Sequence, residues 1–295
     1  MSTTVKIVEC PRDAWQALPV HIPARQKAHY LQALISAGFT HIDAVSFVSP
    51  KAVPQLSDSE AVLELLELSS NVELIGIVVN GKGAERAIAN GKLQTLGFPY
   101  SISPEFLRRN QNQSQEESLH TLESIAALAR DANMGVVAYV SMAFGNPYGE
   151  PWDIDRVNDA CALLVKSGIR QISLADTVGL ATPAKVGEIV ASAIDAYPDI
   201  ELGVHLHARA QTAPAKIQAA WRAGCRRFDA AIGGLGGCPF AQDDLVGNIP
   251  TETLLAELKA AGAELPRYQA LDALIQASAS IAAECGNAGS NTTTS

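Results

Sequence analysis

The sequence lacks the clustered positive charge that is typical of nucleic-acid-binding proteins. It contains no cluster of lysine and arginine, and 22 basic residues against 31 acidic residues give a formal net charge of −9. Phosphate backbones are bound by clustered basic side chains, so we expect no nucleic-acid partner. An anionic substrate would have to be held by local positive charge instead of the field of the whole protein.

Long apolar runs are absent as well. None approaches the ~18 residues that a membrane-spanning helix needs. The first ten residues, MSTTVKIVEC, contain no apolar signal core. We therefore expect no membrane partner.

Cysteine is scarce and widely spaced. The five cysteines stand at positions 10, 161, 225, 238 and 285, and no two form a CxxC pair. An odd number at this spacing argues against both a disulfide framework and a zinc ribbon. The sequence therefore predicts a soluble protein of a reducing compartment, the cytoplasm.

Apolar residues are plentiful, at 47% of the chain against 18% charged residues, and they follow an alternating pattern. Strand-like segments alternate with helix-like segments along nearly the whole chain, and eight β-then-α units predict a (β/α)8 TIM barrel. A doubly wound open sheet is the alternative. We expect one barrel domain over residues 1–285 with extra C-terminal helices, and a disordered tail over 286–295. The predicted strands cover residues 5–9, 41–45, 73–79, 93–98, 135–142, 169–175, 201–207 and 226–232.

Three helix starts carry recognisable caps. Residues 57–60 (SDSE) and 114–117 (SQEE) fit the capping box, in which a serine and a glutamate three residues later exchange hydrogen bonds. The first box predicts a helix to about Leu68, and the second a long helix. Thr182 followed by Pro183 predicts a third helix start, because proline suits the first helical position.

Active sites of such barrels lie on the loops after the strands. His205 and His207 end the seventh predicted strand, and strand alternation points both the same way. They could share a metal ion, or they could be two separate hydrogen-bonded residues at the barrel mouth. Asp13 and Asn248 also follow strands, and if they converge on the histidines the mixed oxygen and nitrogen set suits Mg²⁺ or Mn²⁺. Zinc more often takes a thiolate or a third histidine.

Two further candidate residues could each have a catalytic role or a purely structural one. Arg12 beside Asp13 could stabilise an enolate or hold a carboxylate, or it could form an ordinary salt bridge. Cys238 follows a glycine-rich run in residues 230–241 (AAIGGLGGCPFA), and could be a mobile acid or base or a small buried apolar residue. The run does not fit the GxGxxG phosphate motif and lies too late in the chain for a Rossmann site.

Taken together, these segments resemble the hydroxymethylglutaryl-CoA lyases, a family of metal-dependent TIM-barrel enzymes. The resemblance extends from the first strand to about Leu258. The segments that carry it are PRD (11–13), SFVSPKAVPQ (46–55), YVSMAFGNPY (139–148), ISLADTVGLATP (172–183), VHLH (204–207) and GLGGCPFA (234–241).

The resemblance implies a divalent cation held by Asp13, His205, His207 and Asn248. The substrate would be a 3-hydroxy-3-methylglutaryl-CoA thioester, or one with a larger alkyl group, cleaved to acetyl-CoA and acetoacetate or a longer 3-keto acid. Arg12 would neutralise the developing oxyanion, and Cys238 would deliver a proton to the enolate. The partner is thus an acyl-CoA, and the family suggests a homodimer. The acidic residues that would orient the metal ligands and Arg12 are Glu9, Asp43, Asp176 and Glu252.

The chain departs from the family pattern around this site. Cys10 stands where a glycine is usual, Trp15 falls in a usual Gly-Leu pair, and Asp43 replaces a glutamate. Residues 208–211 read ARAQ where the family has Asp-Thr and then a glycine. The metal ligands and catalytic residues match the family while the residues around them differ. We therefore predict that the protein still cleaves a carbon–carbon bond, but in an altered substrate. The alternatives are a catalytically silent paralogue that binds a metal and an acid or CoA ligand, and a condensing enzyme that runs the bond chemistry forward.

Overall fold

The protein forms a closed parallel barrel in a computed structural model that describes residues 3–236 and 246–286. The strands pair in chain order from β1 to β8, and β8 returns to β1 through pairs such as Ile7 with Phe228. The TIM barrel is therefore confirmed, and the open doubly wound sheet is wrong. The strands are β1 (Lys6–Glu9), β2 (His41–Ser46), β3 (Glu73–Ile77), β4 (Thr95–Ser101), β5 (Gly135–Ser141), β6 (Gln171–Asp176), β7 (Glu201–Leu206) and β8 (Arg227–Ala230).

Helices surround the barrel, and two 3₁₀ turns, Pro54–Leu56 and Ile232–Gly234, lie in its loops. Helix α10 follows β8 and packs on α9, so it is the eighth helix of the barrel ring. Helix α11 extends beyond the ring and packs on α2. The helices are α1 (Pro11–Trp15), α2 (Ala24–Ser36), α3 (Ser59–Glu64), α4 (Gly81–Asn90), α5 (Pro104–Gln111), α6 (Gln115–Asp131), α7 (Ile154–Lys166), α8 (Pro183–Ala196), α9 (Ala213–Arg222), α10 (Thr251–Ala260) and α11 (Leu271–Cys285).

The predicted caps had mixed outcomes. The box at residues 114–117 is formed at the start of α6, and Thr182 caps α8 through the backbone N–H of Lys185. The box at 57–60 is wrong, because α3 begins at Ser59, and its N-cap, Asp58, makes no side-chain cap. The Ser59 hydroxyl instead donates to the carbonyl of Ser46, 2.7 Å away, and ties α3 to the end of β2.

The barrel interior has an apolar side and a polar side. Alternating residues of β1, β3 and β5, among them Val8, Ile75 and Val137, form an apolar cluster of their own. Facing side chains of β6, β7 and β8 are polar, since Ser173 and His205 both approach the carboxylate of Asp229. The polar side continues upward into the mouth of the barrel. Among the described helices, none is both long enough and apolar enough to cross a bilayer.

Candidate active site

Polar side chains from opposite ends of the chain meet at the carboxyl end of the barrel. Helix α1 begins directly after β1, so it holds its arginine and aspartate over the barrel mouth. The two histidines lie at the end of β7, where alternation directs both rings inward. The predicted residues brought together and buried here are Arg12, Asp13, Asp43, His205, His207 and Asn248.

Asp13, His205 and His207 form a compact group of possible metal ligands. One donor atom of each lies within 4.8 Å of the others. Asp13 Oδ2 is 3.9 Å from His205 Nε2 and 3.8 Å from His207 Nε2, and the two Nε2 atoms are 3.2 Å apart. A carboxylate oxygen and two imidazole nitrogens that face one point are a suitable start for a coordination sphere.

An oxygen atom lies behind the outer nitrogen of each imidazole, within hydrogen-bond distance for His207 and at a longer ion-pair distance for His205. His207 Nδ1 lies 3.1 Å from the carbonyl oxygen of Thr177, which can only accept a hydrogen bond, so Nδ1 carries the proton. His205 Nδ1 lies 3.5 Å from Asp229 Oδ2. With both protons on Nδ1, two Nε2 lone pairs face each other at the centre. A shared cation would relieve their repulsion, as in many metal sites with carboxylate-backed histidines.

Asn248 completes the group. Residues 247–250 insert between the ends of β7 and β8, because Ile249 N donates to Leu206 O and Ala231 N donates to Ile249 O. Asn248 Nδ2 donates to Asp13 Oδ2 at 2.7 Å, while its buried Oδ1 has no partner among the described residues. The amide nitrogen faces Asp13 here, and the unsatisfied amide oxygen is the atom that would bind a hard divalent cation. The four residues therefore fit such an ion.

The electrostatics of the group favour an ionised aspartate. Burial alone would raise the pKa of Asp13, but the charge of the Arg12 guanidinium holds that pKa well below its usual range. The carboxylate is thus charged at every physiological pH and ready to bind a cation.

Arg12 is fixed beside this group by three side chains. Its Nε and Nη2 both donate to Asp43, the latter at 2.6 Å, in a two-pronged ion pair. Its Nη1 donates to Gln16 Oε1 at 2.9 Å, and Gln16 Nε2 donates in turn to Asp13 Oδ1 at 2.8 Å. Asp43 therefore contacts Arg12 directly, and Gln16 links the arginine to the possible metal ligand.

The three remaining acidic candidates make different contacts. Asp176 accepts hydrogen bonds from Ala181 N at 3.0 Å and from Lys216 Nζ at 2.7 Å. Glu9 accepts hydrogen bonds from Ile232 N at 2.8 Å and Thr251 Oγ1 at 2.6 Å, and Glu252 accepts one from Gly233 N at 3.1 Å. Both acids thus bind the segment between β8 and α10 instead of Arg12 or the possible metal ligands. Any influence they have on the site passes through that segment.

Comparison with known proteins identifies the family of this chain. The family model described as HMGL-like matches residues 4–281. The chain belongs to the HMGL-like family. The resemblance seen in the sequence motifs is thereby confirmed.

Named relatives of this HMGL-like protein are carbon–carbon lyases. A hydroxymethylglutaryl-CoA lyase of Bacillus subtilis is 34% identical over 249 residues, 84% of this chain and 83% of that protein. The mitochondrial enzyme of Mus musculus is 35% identical over 259 residues, 88% of this chain and 79% of that protein. An HMG-CoA lyase of Acinetobacter baumannii, solved with coenzyme A and 3-methylmalate, superposes with a TM-score of 0.88 at 33% identity, covering 99% of this chain and 97% of that one.

A cleft leads from the surface of the HMGL-like barrel to this polar group. Its volume is about 170 Å³. Arg12, Asp13 and the two histidines line one end, and Asn110 and Gln111 of α5 line another part. The wall is mostly apolar and includes Val48, Val53, Ile77, Val79 and Phe106. An extended apolar ligand would find cover here, with its polar atoms gathered at one end.

Cys238 lies outside the described residues, which stop at 236 and resume at 246. Its predicted role stays a prediction. The other four cysteines are buried and free.

Three residues of the HMGL-like site were missed at the level of sequence, and the first is Gln16, which links Arg12 to Asp13. Asp229 backs His205, and Lys216 reaches the loop after β7 from α9. Both had a signal. Asp229 is an inward position of β8 by alternation, and Lys216 falls on the buried face of α9 beside Ala213, Ile217 and Ala220.

Proposed function

We propose that this protein is a divalent-metal-dependent lyase that cleaves a 3-hydroxy-3-methylglutaryl-CoA-like thioester into acetyl-CoA and acetoacetate or a longer 3-keto acid. The observation that carries the proposal is the buried group of Asp13, His205 and His207 with Arg12 beside it at the barrel mouth. Named relatives with this activity, similar over most of the chain, support it.

The ion would be Mg²⁺ or Mn²⁺, held by Asp13, His205, His207 and Asn248. When bound, it would supply Lewis-acid polarisation of the hydroxyl and carbonyl oxygens of the substrate. Carboxylate, amide oxygen and imidazole together suit these ions, and no described cysteine joins the group.

The bond chemistry sets what the side chains must do. The tertiary hydroxyl loses its proton to a base, the bond between the second and third carbons breaks, and its electron pair becomes a thioester enolate. Arg12, a permanent cation that Asp43 holds in place, stabilises the negative charge that develops on oxygen. Cys238 delivers a proton to the second carbon, which completes acetyl-CoA.

The acyl-CoA is thus the proposed partner, and a cytoplasmic homodimer is the proposed form. The silent-paralogue alternative rests on the segment 208–211. Ala208 is buried, and its backbone N–H donates to Gly247 O at 2.9 Å, so a contact that joins β7 to the Asn248 segment needs no side chain at position 208. This favours a retained activity.

The test is acetyl-CoA release from hydroxymethylglutaryl-CoA with Mg²⁺, with Mn²⁺ and with EDTA. We expect turnover that disappears with EDTA and drops by about 10²-fold or more in Cys238→Ala, in the range of an acid–base group. Cys161→Ala, a buried cysteine on α7, is the matched control and should keep its turnover. Metal binding without turnover on this thioester or on longer-chain analogues would reject the lyase in favour of the silent paralogue.

A further inference from the structure

Lys216 is a buried cation that reaches the metal-binding end of the barrel from outside. It lies on α9 and is only 3% exposed. Its Nζ donates to Asp176 Oδ2 at 2.7 Å, to His207 O at 2.8 Å and to Gly179 O at 3.3 Å. All three donor positions of the ammonium are therefore used, and two of them bind the ends of neighbouring strands.

These contacts bracket the hydrogen bond that orients His207. Asp176 ends β6 and directly precedes Thr177, whose carbonyl receives the His207 Nδ1 proton at 3.1 Å. Lys216 holds the strand carrying that acceptor through Asp176, and it holds His207 through the backbone carbonyl. The spacing between the ends of β6 and β7, and with it the imidazole hydrogen bond, thus depends on one ammonium group.

The charge of this contact argues for a specific role. A buried lysine–aspartate pair pays a large desolvation cost, so a well-packed apolar pair of similar volume is often as stable. Here the pair joins α9 to the backbone of a possible metal ligand. The Lys216 ammonium therefore positions the ends of β6 and β7 more than it stabilises the fold.

We propose that Lys216 is a positioning residue for the metal site: it keeps His207 in the Nδ1-protonated form, with Nε2 directed at Asp13 and His205. The inference rests on the metal-binding part of the proposed function and does not depend on which substrate is cleaved.

The test compares Lys216→Met with Lys27→Met. Lys27 is a matched control, because it is also a buried lysine that bonds an aspartate, Asp58 at 2.6 Å, and a backbone carbonyl, that of Gln55. Lys27 lies on α2, and its contacts lie in the 3₁₀ turn Pro54–Leu56 and directly before α3, so it touches none of the possible metal ligands. We expect Mn²⁺ affinity, measured by electron paramagnetic resonance titration, to fall about 10- to 100-fold in Lys216→Met and to stay unchanged in Lys27→Met.

A double variant separates position from charge. Lys216→Met leaves Asp176 buried without its cation and could fail to fold, whereas Lys216→Met/Asp176→Asn removes both charges and keeps an acceptor for Ala181 N. We expect the double variant to regain thermal stability but to keep the weakened Mn²⁺ affinity. Recovery of wild-type affinity in the double variant would overturn the proposal, since Lys216 would then only neutralise Asp176.

A second readout needs neither activity nor metal. ¹⁵N shifts of the histidines in the metal-free protein report the tautomer, and we expect His207 to be Nδ1-protonated in wild type and mixed in the double variant. An unchanged tautomer would overturn the proposal. If wild type binds no Mn²⁺ at all, the metal part of the proposed function fails, and the tautomer alone decides the role of Lys216.

Discussion

The two histidines of the site are oriented by acceptors of different kinds. His205 Nδ1 faces the carboxylate of Asp229, whereas His207 Nδ1 faces the neutral carbonyl of Thr177. A carboxylate fixes the tautomer and also makes the ring more basic. Burial alone would lower the pKa of His205, but Asp229 and Asp13 outweigh it and raise that pKa. The two rings therefore differ in the strength with which they would bind a cation.

Asp229→Asn should expose this difference. The amide keeps the shape of the side chain but loses the charge that supports His205, so we expect Mn²⁺ affinity to fall about 10- to 100-fold. Ser173→Ala is the control, because it removes the hydroxyl that donates to Asp229 at 3.0 Å and leaves the carboxylate in place. Titration of both variants with Mn²⁺ checks the prediction. Equal affinity in Asp229→Asn and wild type would show that the carboxylate does not support His205.

Glu9 makes folding stability depend on pH. Burial raises the pKa of its carboxyl from 4.5 to about 8, against the hydrogen bonds from Thr251 and Ile232. Between these values folded Glu9 keeps a proton that the unfolded chain has released. The stability it contributes is therefore complete below about pH 4.5 and is lost as pH rises towards 8, with a slope of up to about 1.4 kcal/mol per pH unit.

Glu9→Gln should remove that slope. Glutamine cannot ionise, yet its amide can still accept from Ile232 N and pair with the Thr251 hydroxyl. The free energy of unfolding in urea, measured for both proteins at pH 5, 6, 7 and 8, should favour the variant increasingly as pH rises. All other ionisable groups are shared, so they cancel in the difference. Parallel curves would mean that Glu9 is ionised in the folded protein throughout this range.

At the scale of elements, the regular alternation of strands and helices could be predicted from the sequence, whereas the shortest helices could not. Eight apolar strands alternating with helices predicted the barrel, because such a pattern buries both faces of a parallel sheet. Helices α1 and α5 were missed, since five to eight residues carry too little periodicity. Asp13 and His207 could be predicted as site residues because each follows or ends a predicted strand. The role of Lys216 could not be predicted, because it depends on which backbone carbonyls lie above α9, and only the folded structure shows them.

Glycine on β7 makes room for an arginine on β8. A Cβ added at Gly203 would lie 2.8 Å from Cγ of the buried Arg227. Gly203→Ala should therefore cost about 1–3 kcal/mol of stability through overpacking of the barrel interior. Gly81→Ala is the matched control, because nothing lies within 4 Å of its added Cβ on α4. Thermal unfolding of the pair tests this, and equal melting temperatures would show that Arg227 moves aside at no cost.

At the scale of the whole molecule, the site exists only when the barrel is closed. Asn248 and Asp13 share a hydrogen bond although 235 positions separate them in the chain, and β8 pairs with β1 directly beneath them. The possible metal ligands thus come from both ends of the barrel sequence. A cation that all of them hold would bind the folded state but not the unfolded chain. Metal binding would therefore be coupled to global folding.

Metal should therefore raise the melting temperature. At a free Mn²⁺ concentration of 100 times the Kd, binding to the folded state alone adds about 2.7 kcal/mol of stability. For a domain of this size that corresponds to a shift of about 4 °C. Differential scanning fluorimetry with Mn²⁺ or EDTA measures it, and His205→Gln/His207→Gln should show no shift because two of the candidate ligands are lost. A shift that persists in this variant would place the stabilising ion elsewhere on the protein. Its absence in wild type would mean that the four residues do not hold a cation together, and the metal-dependent part of the proposed function would fail.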